Sequence, residues 1–263
     1  TLEAAKPIED LPARLKILIN GTDKAGEFYR QFHYSLFSYI SHRIPEISDE
    51  VYRLDDAMMA GFGWEIGAFE SWDASGLAKT TEAMKAAGFT VAKWVDDMLA
   101  AGHNTFYKVE NGKRLYYDIA GKTYKNLPGG DTFLVMKYFT NQTIWKNSSS
   151  RVYHLGDDVL GLEWNTKMNS IGGEVLESIQ KGISLAEEKY KGLVIANESA
   201  NFSAGANIGM IFMLAIEQDY DEIDMAIRMF QNTMMRVRYS SIPVVIAPHG
   251  LALGGGCEIC LHA

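Results

Sequence analysis

Apolar positions recur at helical spacing through the first part of the chain. From Ala25 to Ile44, Phe28, Phe32, Leu36, Phe37 and Ile40 share one face, and Pro45 closes the run. Ser48 and Asp49 offer a start for the next helix, with Val51, Leu54 and Met58 on one side. Residues 1–77 read as a helical domain that ends in a turn-rich stretch, GFGWEIGAFESWDASG over 61–76. Those glycines are not spaced G-x-G-x-x-G and no strand precedes them, so they do not form a dinucleotide-binding turn. Thr80 to Ala101 keeps the helical period through Met84, Val91, Val95, Met98 and Leu99, with a break at Gly88.

The period then changes to two. TFYKVENGKRLYYDIAGKTYKNL alternates around Asn111-Gly112, a pair that favours a two-residue hairpin turn, and Ala120-Gly121 adds a second turn. The Lys, Arg and Tyr residues of this small meander read as a solvated face rather than a coenzyme or partner surface. Pro128-Gly129-Gly130 and the serines 148–150 punctuate the next stretch, so 78–150 reads as a connector with a helix and a β-hairpin of its own. From Arg151 onward the pattern is α/β. RVYHLGDDVLGLEWN predicts a hairpin, and Val175, Leu176, Ile179, Ile183, Ala186 and Tyr190 line one side of a helix. Short buried strands are predicted at 193–196 and 243–247, with helices over 208–216 and 219–239 between them. Met225, Met229, Met234 and Met235 on the last of these read as core packing rather than as the wall of an acyl pocket. Strand–helix–strand spacing of this kind suits stacked ββα turns.

Composition narrows the class. The 263 residues are 47% hydrophobic and 22% charged, enough for a real core, and the formal net charge of −8 argues against nonspecific nucleic-acid binding. No apolar run reaches membrane-spanning length and no signal-peptide pattern opens the sequence, so the expected location is cytoplasmic. Cys257 and Cys260 form a C-x-x-C. A zinc site needs two further ligands, and a glutamate stands between the cysteines, so they read as two buried thiols at helical spacing.

Candidate chemistry collects at two junctions. PVVIAPHGLALGGGCEICLHA, from 243 to the last residue, places Gly254-Gly255-Gly256 after a β-branched run and Glu258 two residues later. Upstream, Ser203, Ala204, Gly205 and Ala206 follow another buried strand, and Asn207 suits the N-cap of the next helix. Glycine lets the backbone approach a ligand closely, and the first N–H groups of a helix lack intrahelical partners. Two such junctions can each aim one N–H at a single oxygen, which is the geometry of an oxyanion hole. Glu258 is the candidate acid–base group; its bland alternative is a first-turn residue favoured by the helix dipole.

FSAGAN at 202–207 and GLALGGGCE at 250–258 resemble the two signature segments of the crotonase (enoyl-CoA hydratase/isomerase) superfamily. The resemblance implies that the N–H groups of Ala206 and Gly255 hold a CoA-thioester carbonyl. It also implies that Glu258 is one of two catalytic carboxylates, and that Ser203, Ala204, Gly205, Asn207 and Gly254 bind the thioester. Asn207 stands where the family has Asp. A glutamate at 258 favours a hydratase over an isomerase. DDAMMAGFGWEIGAFESWDASG is similar to the C-terminal helical domain of 3-hydroxyacyl-CoA dehydrogenases, with Ala68 where that pattern has proline. The Rossmann unit and His–Glu pair that this second resemblance implies are not in the sequence, and none of the six histidines is assigned a catalytic role.

The expected fold is thus mixed α+β and α/β: a helical dehydrogenase-type domain (1–77), the connector (78–150), and the N-terminal half of a crotonase-like ββα fold (151–263). The expected function is enoyl-CoA hydration within a bifunctional β-oxidation enzyme, with an acyl-CoA-binding or assembly module, or an isomerase, as alternatives. Acyl-CoA is expected as substrate, a homo-oligomer is possible, and no cofactor is expected in this chain, with NAD confined to a dehydrogenase domain outside it. The sequence stops inside an expected helix, and the second carboxylate implied by the resemblance lies past Ala263. The chain therefore reads as an internal fragment that is inactive alone.

Overall fold

The computed structural model describes residues 1–8, 10–130 and 132–263. They form two compact units, Thr1–Thr132 and Phe133–Ala263. In the first, helices α1 (Leu2–Ala5), α2 (Leu11–Asn20), α3 (Lys24–His42), α4 (Val51–Phe62), α5 (Ala68–Ser75), α6 (Leu77–Ala86) and α7 (Lys93–Ala100) precede an antiparallel sheet. Its strands are β1 (Tyr107–Glu110), β2 (Lys113–Asp118) and β3 (Thr123–Asn126). Side-chain caps start two helices: Asp10 accepts from the Ala13 N–H at 2.9 Å, and Asp23 from the Gly26 N–H at 3.0 Å. Glu110 pairs with Lys113 across Asn111 and Gly112, whose φ values of 51° and 73° are those a two-residue primed turn requires.

Residues 78–132 share the core of the first unit instead of standing apart from it. Phe37 stacks on Trp72 with ring centroids 4.9 Å apart, and Phe106 sits edge-on to Phe69 at 4.8 Å. Tyr116 and Tyr117 of β2 are buried in the same cluster. Turn-forming glycines suggest a linker here, but aromatic burial outweighs local punctuation, and 133–150 falls within the second unit. Buried acids tie the helices to the hairpin. Asp55 accepts from the Phe69 N–H (2.8 Å), the Glu70 N–H (3.1 Å) and the Tyr107 hydroxyl (2.9 Å). Asp73 accepts from the N–H groups of Phe106 (2.8 Å) and Tyr107 (2.9 Å), while Glu70 pairs with Arg114.

The second unit is a five-stranded sheet in the order β4 (Thr143–Lys146), β5 (Ser150–Gly156), β6 (Val159–Trp164), β7 (Gly192–Ile195), β8 (Val244–Ile246). β4, β5 and β6 are antiparallel neighbours; β6–β7 and β7–β8 are parallel. The Asp157–Asp158 turn joins β5 to β6 with both residues at positive φ. α8 (Gly173–Lys189) crosses from β6 to β7 and buries Val175, Leu176, Ile179, Ile183 and Ala186 against the sheet. α9 (Ile208–Glu217) and α10 (Tyr220–Arg238) lie between β7 and β8, and α11 (Gly255–His262) follows β8. α10 is anchored by its C-terminal half: Thr233, Met234 and Val237 are buried, Gln180 donates to the Thr233 hydroxyl at 2.7 Å, and Arg236 pairs with Glu187. α9 has no buried residue, with Ile208 77% and Phe212 63% exposed. Among the described residues no helix is long and apolar enough to cross a membrane.

Burial raises both Asp55 and Asp73, Asp55 to about 7, against the lowering effect of the hydrogen bonds each accepts. Between the ordinary carboxylate range and about 7 the folded chain therefore holds a proton on Asp55 that the unfolded chain has released. The associated stability is full below that range and is lost as pH rises through about 7. Melting of the first unit should fall from pH 5 to pH 8, and Asp55→Asn should shrink the fall; a rise over this interval contradicts the assignment. Asp55→Ala strands three donors and should cost about 3–5 kcal/mol in denaturant unfolding.

Candidate active site

The two glycine-bearing junctions run side by side because the loops after β7 and β8 extend the sheet's parallel pairing. The Ala247 N–H donates to Ile195 O at 3.0 Å, Phe202 N–H to His249 O at 3.0 Å, Ser203 N–H to Leu251 O at 3.1 Å, and Leu253 N–H to Ser203 O at 2.9 Å. Ser203 is fully buried: its hydroxyl donates to Asn169 O at 2.7 Å and accepts from the Gly205 N–H at 3.0 Å. That side chain ties the loop to Asn169 and does not line the cavity. Gly205 has φ 90°, and a Cβ there would sit 2.6 Å from Leu253 O and 3.0 Å from Gly255 N. Only glycine lets the two loops approach this closely. Gly254, at φ 47° and ψ −122°, turns the chain into α11.

Peptide planarity fixes where the two amides point. Gly205 O accepts from the Ile171 N–H at 2.9 Å, so the Ala206 N–H of the same trans peptide is directed away from Ile171. Gly254 O accepts from the N–H groups of Cys257 (2.9 Å) and Glu258 (3.0 Å), so the Gly255 N–H points out of the N-terminal end of α11. Among the described residues neither N–H has an acceptor within the chain. A Cβ built on Gly255 would lie 3.6 Å from Ala206 N, which makes the two donors neighbours.

Ala206 and Gly255 both line a cavity of about 710 Å³, within the range of small-molecule sites. Ala206, Asn207, Gly255 and Glu258 line it; Ser203, Ala204, Gly205 and Gly254 do not. The Asn207 side chain caps α9, accepting from the Met210 N–H at 3.3 Å. Glu258 is on the first turn of α11, exposed to the cavity. Much of the remaining lining is apolar: Met210, Ile227, Met229, Phe230, Met234 and Met235. The reading of the α10 methionines as core is therefore corrected. Only Met234 is buried, while Met225, Met229 and Met235 are 58%, 39% and 44% exposed. Met229, Met234 and Met235 line the cavity, and Met225 does not.

The cysteines also differ from expectation, since Cys257 is exposed and Cys260 half-buried, with its thiol donating to Gly256 O at 3.1 Å. Burial pushes the Cys260 thiol upward. Among the described residues no cluster of three or more metal-ligating side chains occurs. Two cavity residues are not identified by sequence reasoning. Phe230 lies so close to Gly255 that an added Cβ would meet its ring at 2.6 Å, and nothing local signals that contact. His262 lines the cavity one helical turn beyond Glu258, and that i, i+4 spacing could have revealed it.

No family model matches the chain. It is 41% identical over its whole length to a Bacillus subtilis protein named "Probable 3-hydroxyacyl-CoA dehydrogenase", covering 33% of that protein. It is 26% identical over 95% of its length to 32% of a Rickettsia prowazekii protein named "Putative fatty acid oxidation complex trifunctional enzyme". The chain thus spans about a third of the length of these curated relatives. Among solved structures it is similar to an enoyl-CoA hydratase from Bacillus anthracis, at 26% identity over 44% of this chain and 45% of that one, with a TM-score of 0.39.

The Gly205 contact is directly testable. Gly205→Ala brings both positive-φ strain and a clash with Leu253 O, so it should destabilise the chain by about 1–3 kcal/mol and part the two loops. Faster amide exchange at Ser203 and Leu253, whose N–H groups bridge the loops, is the expected signature. Unchanged exchange would show that the loops do not depend on that contact.

Proposed function

We propose that this chain carries the 2-enoyl-CoA hydratase site of a longer fatty-acid β-oxidation enzyme, with 3-hydroxyacyl-CoA dehydrogenase chemistry elsewhere in that protein. The observation that carries the reading is a pair of neighbouring backbone donors without acceptors among the described residues, on the wall of a largely apolar cavity that Glu258 also lines. Acyl-CoA is the substrate and NAD is not bound by this chain. The names of the two long relatives support the pathway, and the residues of the two loops support the reaction.

In this reading the thioester oxygen sits between the Ala206 and Gly255 N–H groups, and the acyl chain lies along the methionines of α9 and α10. Attack of water on the β carbon pushes the π pair toward the α carbon and charge onto the thioester oxygen. Fixed donors aimed at that oxygen stabilise the charge, by about 2.7–4 kcal/mol per donor in a comparable hole. Glu258 orients the water and takes its proton. Methionine side chains are flexible and polarisable, so this wall can adapt to straight chains of different length.

Hydration of crotonyl-CoA by the full-length protein, measured beside binding of the inert butyryl-CoA, tests the proposal. Glu258→Gln should lower kcat by about 10²–10⁴-fold and leave butyryl-CoA affinity within a few-fold. A wild-type protein that binds acyl-CoA and never hydrates crotonyl-CoA would make this a binding module.

A further inference from the structure

The ring of Phe230 occupies the space that a side chain at position 255 would take. A Cβ built on Gly255 would meet Phe230 Cζ at 2.6 Å and Cε2 at 2.9 Å, and the same point lies 3.6 Å from Ala206 N. The ring edge thus stands beside both donor residues. Its placement follows from α10. Phe230 comes one turn before Met234 and two before Val237, which are 3% and 2% exposed, so the three share the face that packs into the core. The bonds of Thr233 with Gln180 and of Arg236 with Glu187 hold the next two turns of that helix. The ring is half-buried and packs against the core, whereas Ile227 and Met229 of the same lining are exposed. A flexible methionine gives way to a substrate, while a ring wedged into packed core does not.

A thioester carbon bears sulfur and the α carbon besides its oxygen. The sulfur leads to the polar coenzyme and the α carbon to the apolar chain. Phe230 is continuous with the apolar lining, so the acyl side is the one turned toward it, and the α carbon is the first acyl atom past the held carbonyl. We propose that Phe230 is a specificity-determining residue of this site, its ring packed against the α carbon and leaving no room for a branch there; the proposal rests on the hydratase reading above. The substrate class is thereby narrowed to 2-enoyl thioesters unbranched at the α carbon, while the methionine-lined remainder of the cavity accepts chains of different length. Such a wall discriminates by shape alone. One carbon more or less in an apolar pocket is worth about 10–200-fold in kcat/KM.

Butyryl-CoA and isobutyryl-CoA are inert isomers that differ by a branch at the α carbon, so their relative affinity for the full-length protein isolates the claim. Wild type should prefer butyryl-CoA. Phe230→Ala should tighten isobutyryl-CoA by about 10-fold or more and leave butyryl-CoA within a few-fold. Phe230→Leu, which keeps more of the apolar packing, should shift the preference the same way by a smaller factor. A gain in affinity does not arise from a damaged fold, so this readout separates contact with the substrate from a structural role. In hydration, Phe230→Ala should narrow the preference for crotonyl-CoA over 2-methylcrotonyl-CoA by a similar factor in kcat/KM. An unchanged preference, or equal loss of affinity for both isomers in both variants, overturns the assignment while crotonyl-CoA hydration by the wild type leaves the hydratase reading standing. A shifted binding preference in a protein that hydrates neither enoyl thioester supports the Phe230 contact and overturns the hydratase reading.

Discussion

Everything at the site depends on one close approach, that of the loop after β7 to the loop after β8. Four main-chain hydrogen bonds, from Ala247 to Ile195, Phe202 to His249, Ser203 to Leu251 and Leu253 to Ser203, carry the parallel pairing beyond the strands. The approach tolerates no side chain at Gly205, and at Gly256 a Cβ would press on Ser203 at 2.7 Å. Because the loops are tied to each other, the Gly205–Ala206 and Gly254–Gly255 peptides have fixed planes. Two residues whose amides have no acceptor among the described residues are left lining one cavity. A donor pair held in advance needs no reorganisation when charge develops, which is what a charge-stabilising site requires.

The remainder of the second unit supplies the surroundings of that pair. α8 covers one face of the sheet and presents Leu176 to the cavity, while α10 is clamped through Thr233 and Arg236, and its Phe230, Met229, Met234 and Met235 line the same cavity as the donors. α9, capped by Asn207, adds Met210 at the cavity and turns Ile208 and Phe212 to solvent. In the first unit a different constraint rules. Asp55, Glu70 and Asp73 satisfy backbone and side-chain donors between helices and hairpin, so the acids of the FESWDASG stretch hold tertiary structure together.

Much of this is legible in the sequence because it is written in local pattern. Asn111-Gly112 dictates a hairpin turn through positive φ at both residues, and the alternation on either side dictates the pairing. The two glycine junctions, the cap at Asn207 and the helix from Gly255 follow from steric freedom and capping chemistry. Contact between distant residues is not legible in this way. Phe106, Tyr116 and Tyr117 join an aromatic core laid down by Phe37 and Trp72, and no local signal in 78–132 announces it. The α10 methionines lie among its core residues, Met235 directly after buried Met234, so periodicity alone cannot say which of them is covered. Ser203 reads as a ligand contact because it lies in the motif, yet its hydroxyl is needed to fold the loop. His262 reads as a lone histidine, although its spacing from Glu258 places both on one helical face.

The central claim is that Ala206 and Gly255 hold one oxygen together. Backbone amide NMR of the full-length protein, titrated with butyryl-CoA, tests it most directly. The account predicts that the Ala206 and Gly255 N–H resonances move downfield together, with a single dissociation constant and with slowed exchange for both. Movement of only one of them, or of neither while the ligand binds, would contradict it.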